Sequence, residues 1–183
     1  MKVLRKQEVE ATNIQVGDQI LINLQGYGEF TATAHKITDE GALFIFDDCV
    51  ESRPMNKDWT NEGGFESSDL CRWMNSELIA AFPDEIRKNI PYLTIPSYGQ
   101  MFGHDDFYNR YVEPDEDEQL PLMKLRKNRV AYVNNDWDWQ WLKNAIKKDV
   151  SATHFALVYY SGYAYYGSAS ASLSVRPAFL LLN

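Results

Sequence analysis

The side chains best suited to recognition chemistry are concentrated in one window of the chain, Ser151 to Val175. This window holds five of the eleven tyrosines and contains no Lys, Arg, Asp or Glu. A tyrosine offers a large, rigid contact area with one polar hydroxyl, and Ser, Gly and Ala supply adaptable spacing between such anchors. The composition therefore predicts a non-covalent binding surface. A final pair of small-residue strands with surface tyrosines is the alternative.

The same window also lacks Gln, Trp and Met. Together with Lys and Glu, these are the amino acids that a codon ending in a pyrimidine cannot encode. The window is therefore typical of codons whose third base is fixed while the first two are free. This pattern indicates programmed diversification of the binding surface.

Residues for covalent catalysis are not grouped in the sequence. A catalytic site needs a nucleophile, a base and a positioned partner. The histidines, His35, His104 and His154, are not paired by spacing with either cysteine, Cys49 or Cys71. We interpret both cysteines as thiols without a bridge. We therefore expect no catalytic residue, no enzyme activity and no cofactor.

Carboxylates and amides cluster in three loops, at residues 104–106, 115–118 and 134–136. None of these clusters has the regular ligand spacing of a known calcium loop. We interpret them as solvated loop charge and expect no required metal.

The formal net charge of -8 argues against a phosphate-binding groove, so we expect no nucleic-acid partner. The basic clusters Lys124 to Arg129 and Lys143 to Lys148 are interpreted as solvated faces. The first 24 residues contain some basic side chains but no apolar run of the kind a secretion signal needs. No later run is long enough to span a bilayer. We expect no signal peptide and no membrane insertion.

Several elements must position the tyrosine window. Short β-favouring runs separated by turn residues predict an antiparallel meander, with strands at residues 19–24, 30–38 and 42–46. Trp137, Trp139 and Trp141 alternate with polar residues, which in one strand would place all three on one face. We expect a buried aromatic layer there, with a ligand-stacking platform as the alternative. Arg176 has apolar flanks, so we expect a buried guanidinium that bonds carbonyls of neighbouring loops, with a ligand contact as the alternative.

Helical spacing of apolar residues from Leu70 to Phe82 predicts a helix, with Ser67 or Ser68 as its N-cap. Pro83 begins a second short helix. Farther along, Ser97 is expected to cap one helical turn that ends before the loop of the first acidic cluster.

Five phrases occur in the order WTNEGGFESSDLCRWMNSEL, LTIPSYGQMFG, EDEQLPLMKLRKNR, WDWQWLKN and SVRPAFLL. In this order they resemble a family of bacterial and phage domains related to the formylglycine-generating and C-type-lectin-like folds. The resemblance covers roughly Trp59 to the end of the chain. It implies an α+β, C-type-lectin-like mixed fold with antiparallel strands, two helices and long irregular loops. Residues 59–183 would form this domain, with a variable region at 151–175, and residues 1–58 would be a β-rich part packed on it.

Several members of that family look like variable proteins of diversity-generating retroelements, in which a reverse transcriptase rewrites adenines of a C-terminal repeat. Carried over by position, the resemblance implies that the diversified, ligand-contacting residues are His154, Leu157, Tyr159, Tyr160, Ser161, Tyr163, Tyr165, Tyr166, Gly167, Ser168, Ala171 and Leu173. The intervening scaffold residues would be Phe155, Val158, Gly162, Ala164, Ala169, Ser170 and Ser172.

The resemblance and the composition together predict a retroelement-diversified, phage- or prophage-encoded protein that binds a protein or glycan on a cell or virion surface. It would reside in the phage virion, or in the cytoplasm before assembly. Two alternatives remain open, namely a constant structural or interaction domain of a phage particle and a small carbohydrate-processing enzyme that uses Asp105 or Asp136. The sequence does not specify the oligomeric state.

Overall fold

The computed structural model describes residues 13–183. Residues 1–12, which begin the predicted N-terminal part and the segment considered for a secretion signal, lie outside the described residues. The described chain is a mixed α+β structure with two five-stranded sheets, a two-stranded ribbon and short helices. The α+β class is therefore as predicted.

The strands of the described chain are β1 (Gln19–Leu24), β2 (Gly28–Ile37), β3 (Gly41–Phe46), β4 (Glu51–Arg53), β5 (Leu93–Thr94), β6 (Tyr132–Val133), β7 (Asp136–Trp137), β8 (Gln140–Ala145), β9 (His154–Val158), β10 (Ala164–Ser168), β11 (Leu173–Val175) and β12 (Ala178–Leu182). The α-helices are α1 (Asp69–Trp73), α2 (Asp84–Arg87), α3 (Tyr98–Phe102) and α4 (Asp106–Tyr111).

The first sheet has the strand order β1-β2-β3-β12-β5, and all of its pairings are antiparallel. Its first three strands are the predicted meander, which is confirmed. Alternate residues of β2 and β3, such as Ala32, Phe44 and Phe46, are fully buried because they face the main hydrophobic core. The last strand, β12, pairs directly with β3, so chain segments far apart in sequence form the centre of this sheet.

The second sheet has the order β10-β9-β8-β11-β4. Its pairings are antiparallel apart from the parallel pair β8 and β11. Both faces of β9 are buried, because Leu157 packs in the core cluster that includes the first sheet while Val158 packs in a second cluster with Tyr98. The tyrosine-bearing strand β10 lies outside β9 at the edge of the sheet.

Strands of the predicted N-terminal part are integrated into both sheets. β3 pairs with β12, and β4 pairs with β11. The backbone of Val50 also donates a 2.9 Å hydrogen bond to Val175 O. The 58/59 boundary therefore separates strands that are hydrogen-bonded to each other.

The predicted caps occur where the sequence places them. The Ser68 hydroxyl accepts a hydrogen bond from Cys71 N at 3.0 Å and starts α1, which continues through a π-helical turn (Met74–Leu78) and a 3-10 turn (Ile79–Ala81). Ser97 forms a capping box with Gln100 at the start of α3. These reciprocal bonds satisfy backbone N–H groups that have no partner inside the helix.

The structure has more helices than the two predicted, since residues 13–183 contain four short α-helices. The charged loop after α3 forms α4, because the Asp105 carboxylate accepts a 2.9 Å hydrogen bond from Tyr108 N and caps the new helix. None of the helices within residues 13–183 has the length and apolar character needed to cross a bilayer.

The prediction of a single buried tryptophan layer is wrong for Trp137, which is 63% exposed. The strand breaks at Asp138, whose carboxylate accepts hydrogen bonds from Trp139 N at 2.7 Å and from the Ser174 hydroxyl at 2.7 Å. Trp137 therefore belongs to the β6–β7 ribbon, whereas Trp141 lies in β8 and is fully buried.

Both cysteines are free thiols, as predicted. Cys49 is buried, and burial raises the pKa of its thiol to about 12. Cys71 is half-buried in α1.

His35 occupies an irregularity in the first sheet. The β2–β3 register shifts between Ala34 and Lys36, so His35 is the bulged residue. Its side chain is 3% exposed, and within residues 13–183 its Nδ1 has no hydrogen-bond partner. Burial, helped by the nearby positive charge of Arg176, lowers the pKa of His35 to about 4. The folded protein therefore holds this imidazole neutral.

We predict that acidification destabilises the fold through His35. The pKa of His35 is near 6.5 in the unfolded chain and about 4 in the folded one. The stability that depends on neutral His35 is therefore fully present above pH 6.5 and is lost as the pH falls towards 4. The free energy of unfolding should drop by about 2 kcal/mol between pH 7 and pH 5. Urea unfolding at these pH values measures this change.

The His35→Phe variant should lose most of that pH dependence, because it removes the imidazole whose pKa burial lowers to about 4, while the half-buried His154 contributes a smaller change in the same direction. His104→Gln, at an exposed histidine, is the control and should keep it. A His35→Phe protein with the full loss of stability at pH 5 would contradict this assignment.

Candidate ligand-binding surface

The predicted tyrosine window forms the hairpin of β9 and β10 together with the loop that follows it. In the hairpin, Tyr165 lies opposite Leu157. The tip is closed by two 2.7 Å backbone hydrogen bonds, from Tyr159 N to Tyr163 O and from Gly162 N to Tyr159 O. Gly162 has a φ of 82°, and a Cβ there would lie 2.8 Å from the Arg126 carbonyl oxygen. Only glycine meets both requirements without strain.

Two arginines hold the tip of this hairpin from the side. The Nε of Arg129 donates to Gly162 O at 3.0 Å, and its Nη1 donates to Met123 O at 2.7 Å. The guanidinium of Arg126 lies 4.9 Å from the ring centroid of Tyr163 and donates to its hydroxyl at 2.5 Å. The interpretation of Lys124 to Arg129 as a solvated face is therefore wrong for Arg129, which is half-buried.

Aromatic side chains form a continuous surface on the hairpin, which we call the aromatic ridge. Its members are Trp137, Trp139, Tyr159, Tyr160, Tyr165 and Tyr166. Ring centroids of Tyr159 are 4.1 Å from Tyr160 and 4.8 Å from Trp139. Tyr160 lies 5.8 Å from Trp137, and Tyr165 lies 5.4 Å from Tyr166 in a stacked arrangement. These separations are those of interacting aromatic pairs.

The rings of the ridge contact one another and remain accessible. Tyr160, Tyr165 and Trp137 are 37%, 50% and 63% exposed, so each ring offers free surface beside its aromatic neighbours. Beside them, Tyr163 is 56% exposed despite its contact with Arg126. Preordered aromatic side chains lose little conformational entropy when a partner binds.

Of the twelve predicted contact residues, eleven are exposed or half-buried. Those lying on or beside the hairpin surface are His154, Tyr159, Tyr160, Ser161, Tyr163, Tyr165, Tyr166, Gly167, Ser168, Ala171 and Leu173. Leu157 is the exception and its prediction as a ligand contact is wrong, because it is fully buried in the main core. Both faces of β9 are covered by hydrophobic clusters, so a side chain at this position does not reach solvent on either face.

Gly167 is restricted by the same core residue. A Cβ on Gly167 would lie 3.0 Å from the Cδ2 atom of Leu157 and 3.6 Å from the Cδ1 atom of Leu173. A side chain at this position therefore needs Leu157 to shift or to become smaller.

The predicted scaffold residues divide in a similar way. Phe155, Val158, Gly162 and Ala169 are buried. Ala164 and Ser170 are half-buried, and Ser172 is exposed. His154, at the start of β9, is fixed by its Nδ1, which lies 2.6 Å from the Ser151 hydroxyl oxygen and 2.8 Å from that of Thr153. Burial lowers the pKa of His154.

The prediction for Arg176 is confirmed. Its side chain is 3% exposed, its Nε donates to Phe46 O at 2.6 Å, and its Nη1 donates to Asn128 O at 3.1 Å. Arg176 therefore joins the first sheet to the segment that carries Arg126 and Arg129. The same segment also accepts a 2.7 Å hydrogen bond from the Gln140 side chain at Arg129 O.

Arg126 and Arg129 were not predicted as part of this surface, and Trp137 and Trp139 were predicted to be buried, with a ligand-stacking platform as the alternative. The tryptophans alternate with polar residues, a pattern that equally suits a layer half open to solvent. The two arginines have no local signal, since their partners in the hairpin tip are more than 30 residues away.

The loop carboxylates considered for metal binding or catalysis have local structural partners. Asp105 caps α4 and accepts from the Tyr98 hydroxyl at 2.9 Å. Asp115 accepts from Asn144 Nδ2 and from Asp117 N, at 2.7 and 2.8 Å. Within residues 13–183, no group of three or more His, Cys, Asp or Glu side chains is arranged to hold a metal ion.

We predict that the exposed tyrosines of the aromatic ridge contribute much less to the free energy of unfolding than the buried side chains of β9. Leu157→Ala should lower the free energy of unfolding by about 2–5 kcal/mol, because it leaves a cavity in the core. Tyr165→Ala, directly opposite on the edge strand, should cost less than about 1 kcal/mol. Chemical denaturation of the two variants measures the difference, with Tyr92→Ala as an exposed tyrosine control. Equal losses of unfolding free energy for Leu157→Ala and Tyr165→Ala would contradict this difference between core and surface.

Comparisons with known proteins give one family. No curated protein matches this chain, and no solved structure matches it. The model of a domain of unknown function, DUF6273, matches residues 40–182. The matched region includes β12, the aromatic ridge and both arginines that hold the hairpin tip. The chain belongs to the DUF6273 family.

Proposed function

We propose that this protein is a ligand-binding protein whose Tyr/Ser-rich surface is diversified by a retroelement and whose gene is carried by a phage or prophage. The observation that carries the proposal is the position of the aromatic ridge on an edge hairpin. The ridge presents exposed tyrosines, while β9 behind it is buried on both faces. Substitutions on such a surface can change binding without removing core contacts.

We also propose that the domain is a variant of the C-type-lectin-like fold. Its mostly antiparallel sheets, short helices and long irregular connections are compatible with that fold. β12 pairs with β3 in the first sheet, and the β9–β10 hairpin forms one edge of the second sheet.

The proposed ligand is a protein or a glycan on a cell or virion surface, bound without covalent chemistry. Stacked tyrosine and tryptophan rings supply flat apolar area, and the phenol hydroxyls supply hydrogen bonds at its rim. Both ligand classes use these contacts. Asp105 caps a helix, which gives it a structural role distinct from the alternative of a carbohydrate-processing enzyme.

We narrow the set of proposed diversified positions by two residues. Leu157 is left out because it is buried in the core, and Gly167 is left out because a side chain there would need Leu157 to shift. The remaining positions are His154, Tyr159, Tyr160, Ser161, Tyr163, Tyr165, Tyr166, Ser168, Ala171 and Leu173.

A constant interaction surface is the second candidate, and one observation favours it. Trp137 and Trp139 belong to the aromatic ridge but lie outside the uncharged window, and Tyr163 has a specific partner in Arg126. A fixed interface would use these residues in every copy of the protein.

Sequencing the gene, its downstream flank and many sibling copies from one population tests the proposal. We predict amino-acid differences concentrated at the ten refined positions, with Gly162, Ala169 and Arg176 unchanged because they are buried. A near-identical downstream repeat with adenines at the variable codons, beside a reverse-transcriptase gene, should accompany them.

Codons for residues 96–133 serve as the internal control and should show only background differences. Identical sequences throughout the hairpin, with no repeat, would contradict diversification and would favour the constant interface.

A further inference from the structure

A cavity of about 400 Å³ lies on a different part of the molecule from the aromatic ridge. It is bounded by the first sheet and by the segment that follows the 3-10 turn at Pro121–Lys124. Its polar lining consists mainly of Thr33, His35, Asp47, Lys127, Asn128 and Arg176. A cavity of this size accommodates a small molecule rather than a single water.

The first unusual feature of this cavity is His35. His35 lies at the β2 bulge, its side chain is 3% exposed, and it is one of the residues that line the cavity. Among residues 13–183, no group bonds its Nδ1 atom. A buried polar atom without a partner costs about 1–3 kcal/mol, so native proteins rarely keep one without a reason. A bound ligand would remove this cost.

The second feature is the buried charge of Arg176. Its bonds go to the neutral oxygens of Phe46, Asn128 and Gln140. In the described part of the chain, no carboxylate oxygen lies within 4 Å of its guanidinium nitrogens. Burial lowers the pKa of this group, and the nearby negative charges of Asp47 and Asp48 act in the opposite direction without an ion pair. A buried cation is usually compensated by a paired anion.

The one carboxylate of the cavity lining bonds neutral neighbours. The Oδ1 of Asp47 accepts from the Thr33 hydroxyl at 2.5 Å, and its Oδ2 accepts from Gln19 Nε2 at 2.9 Å. Lys127, which is exposed, adds a second cation to the lining. The cavity therefore combines two cations and a neutral imidazole with one carboxylate.

We propose that this cavity is a binding site for a small ligand with an anionic oxygen group, a carboxylate or a phosphate. Arg176 and Lys127 supply positive charge, and a small shift of the lining would let the neutral imidazole of His35, in the tautomer protonated on Nδ1, donate a hydrogen bond to the ligand. Guanidinium groups bind both kinds of oxyanion with charge-assisted hydrogen bonds. The site is independent of the proposed function of the aromatic ridge.

The test uses the whole protein at pH 7 with two probes, inorganic phosphate and succinate, against sodium chloride at the same ionic strength. Thermal unfolding and the imidazole ¹H–¹⁵N signals of His35 are followed in each titration. We expect a saturable rise in Tm with at least one probe, because a ligand that binds only the folded state stabilises it. The His35 signals should shift over the same concentration range. The probe with the lower Kd identifies the preferred oxyanion.

Variants locate the effect in the cavity. Lys127→Gln and His35→Phe should each weaken the apparent Kd by about ten-fold, as expected for loss of one charge-assisted or buried hydrogen bond. Lys124→Gln, an exposed lysine of the same region that does not line the cavity, should leave it unchanged. Lys127 is exposed, so its variant is informative even where His35→Phe does not fold.

Two results would overturn the proposal. One is the absence of any saturable change with either probe beyond that caused by chloride. The other is an apparent Kd that is the same in wild type and in Lys127→Gln.

Discussion

The hydrogen bonds of the buried Arg176 guanidinium connect the parts of this protein that position the aromatic ridge. They bridge Phe46 at the end of β3 and Asn128 in the segment beside the hairpin. A guanidinium suits this position because its fixed planar donors can bond several carbonyls that β-strands and turns leave unpaired. Removing it would leave those carbonyls buried without partners, which is costly. The position of the hairpin tip follows from this connection, since Arg129 donates to Gly162 O from the same segment.

The second physical constraint is the position of β9 between two hydrophobic clusters. Leu157 and Val158 pack on opposite faces, so the strand is stabilised independently of whatever side chains its outer neighbour carries. Strand β10 contributes few core groups, and its tyrosines pack mostly on one another and on nearby aromatic rings. A surface of this kind gains order from aromatic contacts and retains exposed area for a partner.

Local features of the fold could be predicted from the sequence because their causes are local. The meander follows from short β-favouring runs separated by turn residues, and the helix caps follow from Ser68 and Ser97 at the start of helical patterns. Features that depend on distant partners could not be predicted in this way. Leu157 resembles the neighbouring window residues that are proposed to vary, but it packs in the main hydrophobic core. Similarly, Trp137 separates from Trp141 because Asp138 bonds Ser174, a residue 36 positions away.

We infer that the exposed tyrosines can change while strand β9 beneath them stays intact. Native-state hydrogen exchange of the triple variant Tyr160→Ser, Tyr163→Ser, Tyr165→Ser tests this inference, with the wild-type protein as reference. The amides of Ala156, Leu157 and Val158 should keep the protection of the global fold, because their strand packs between the two core clusters. Loss of protection across β9 in this variant would show that the tyrosines themselves hold the hairpin, and would overturn the inference.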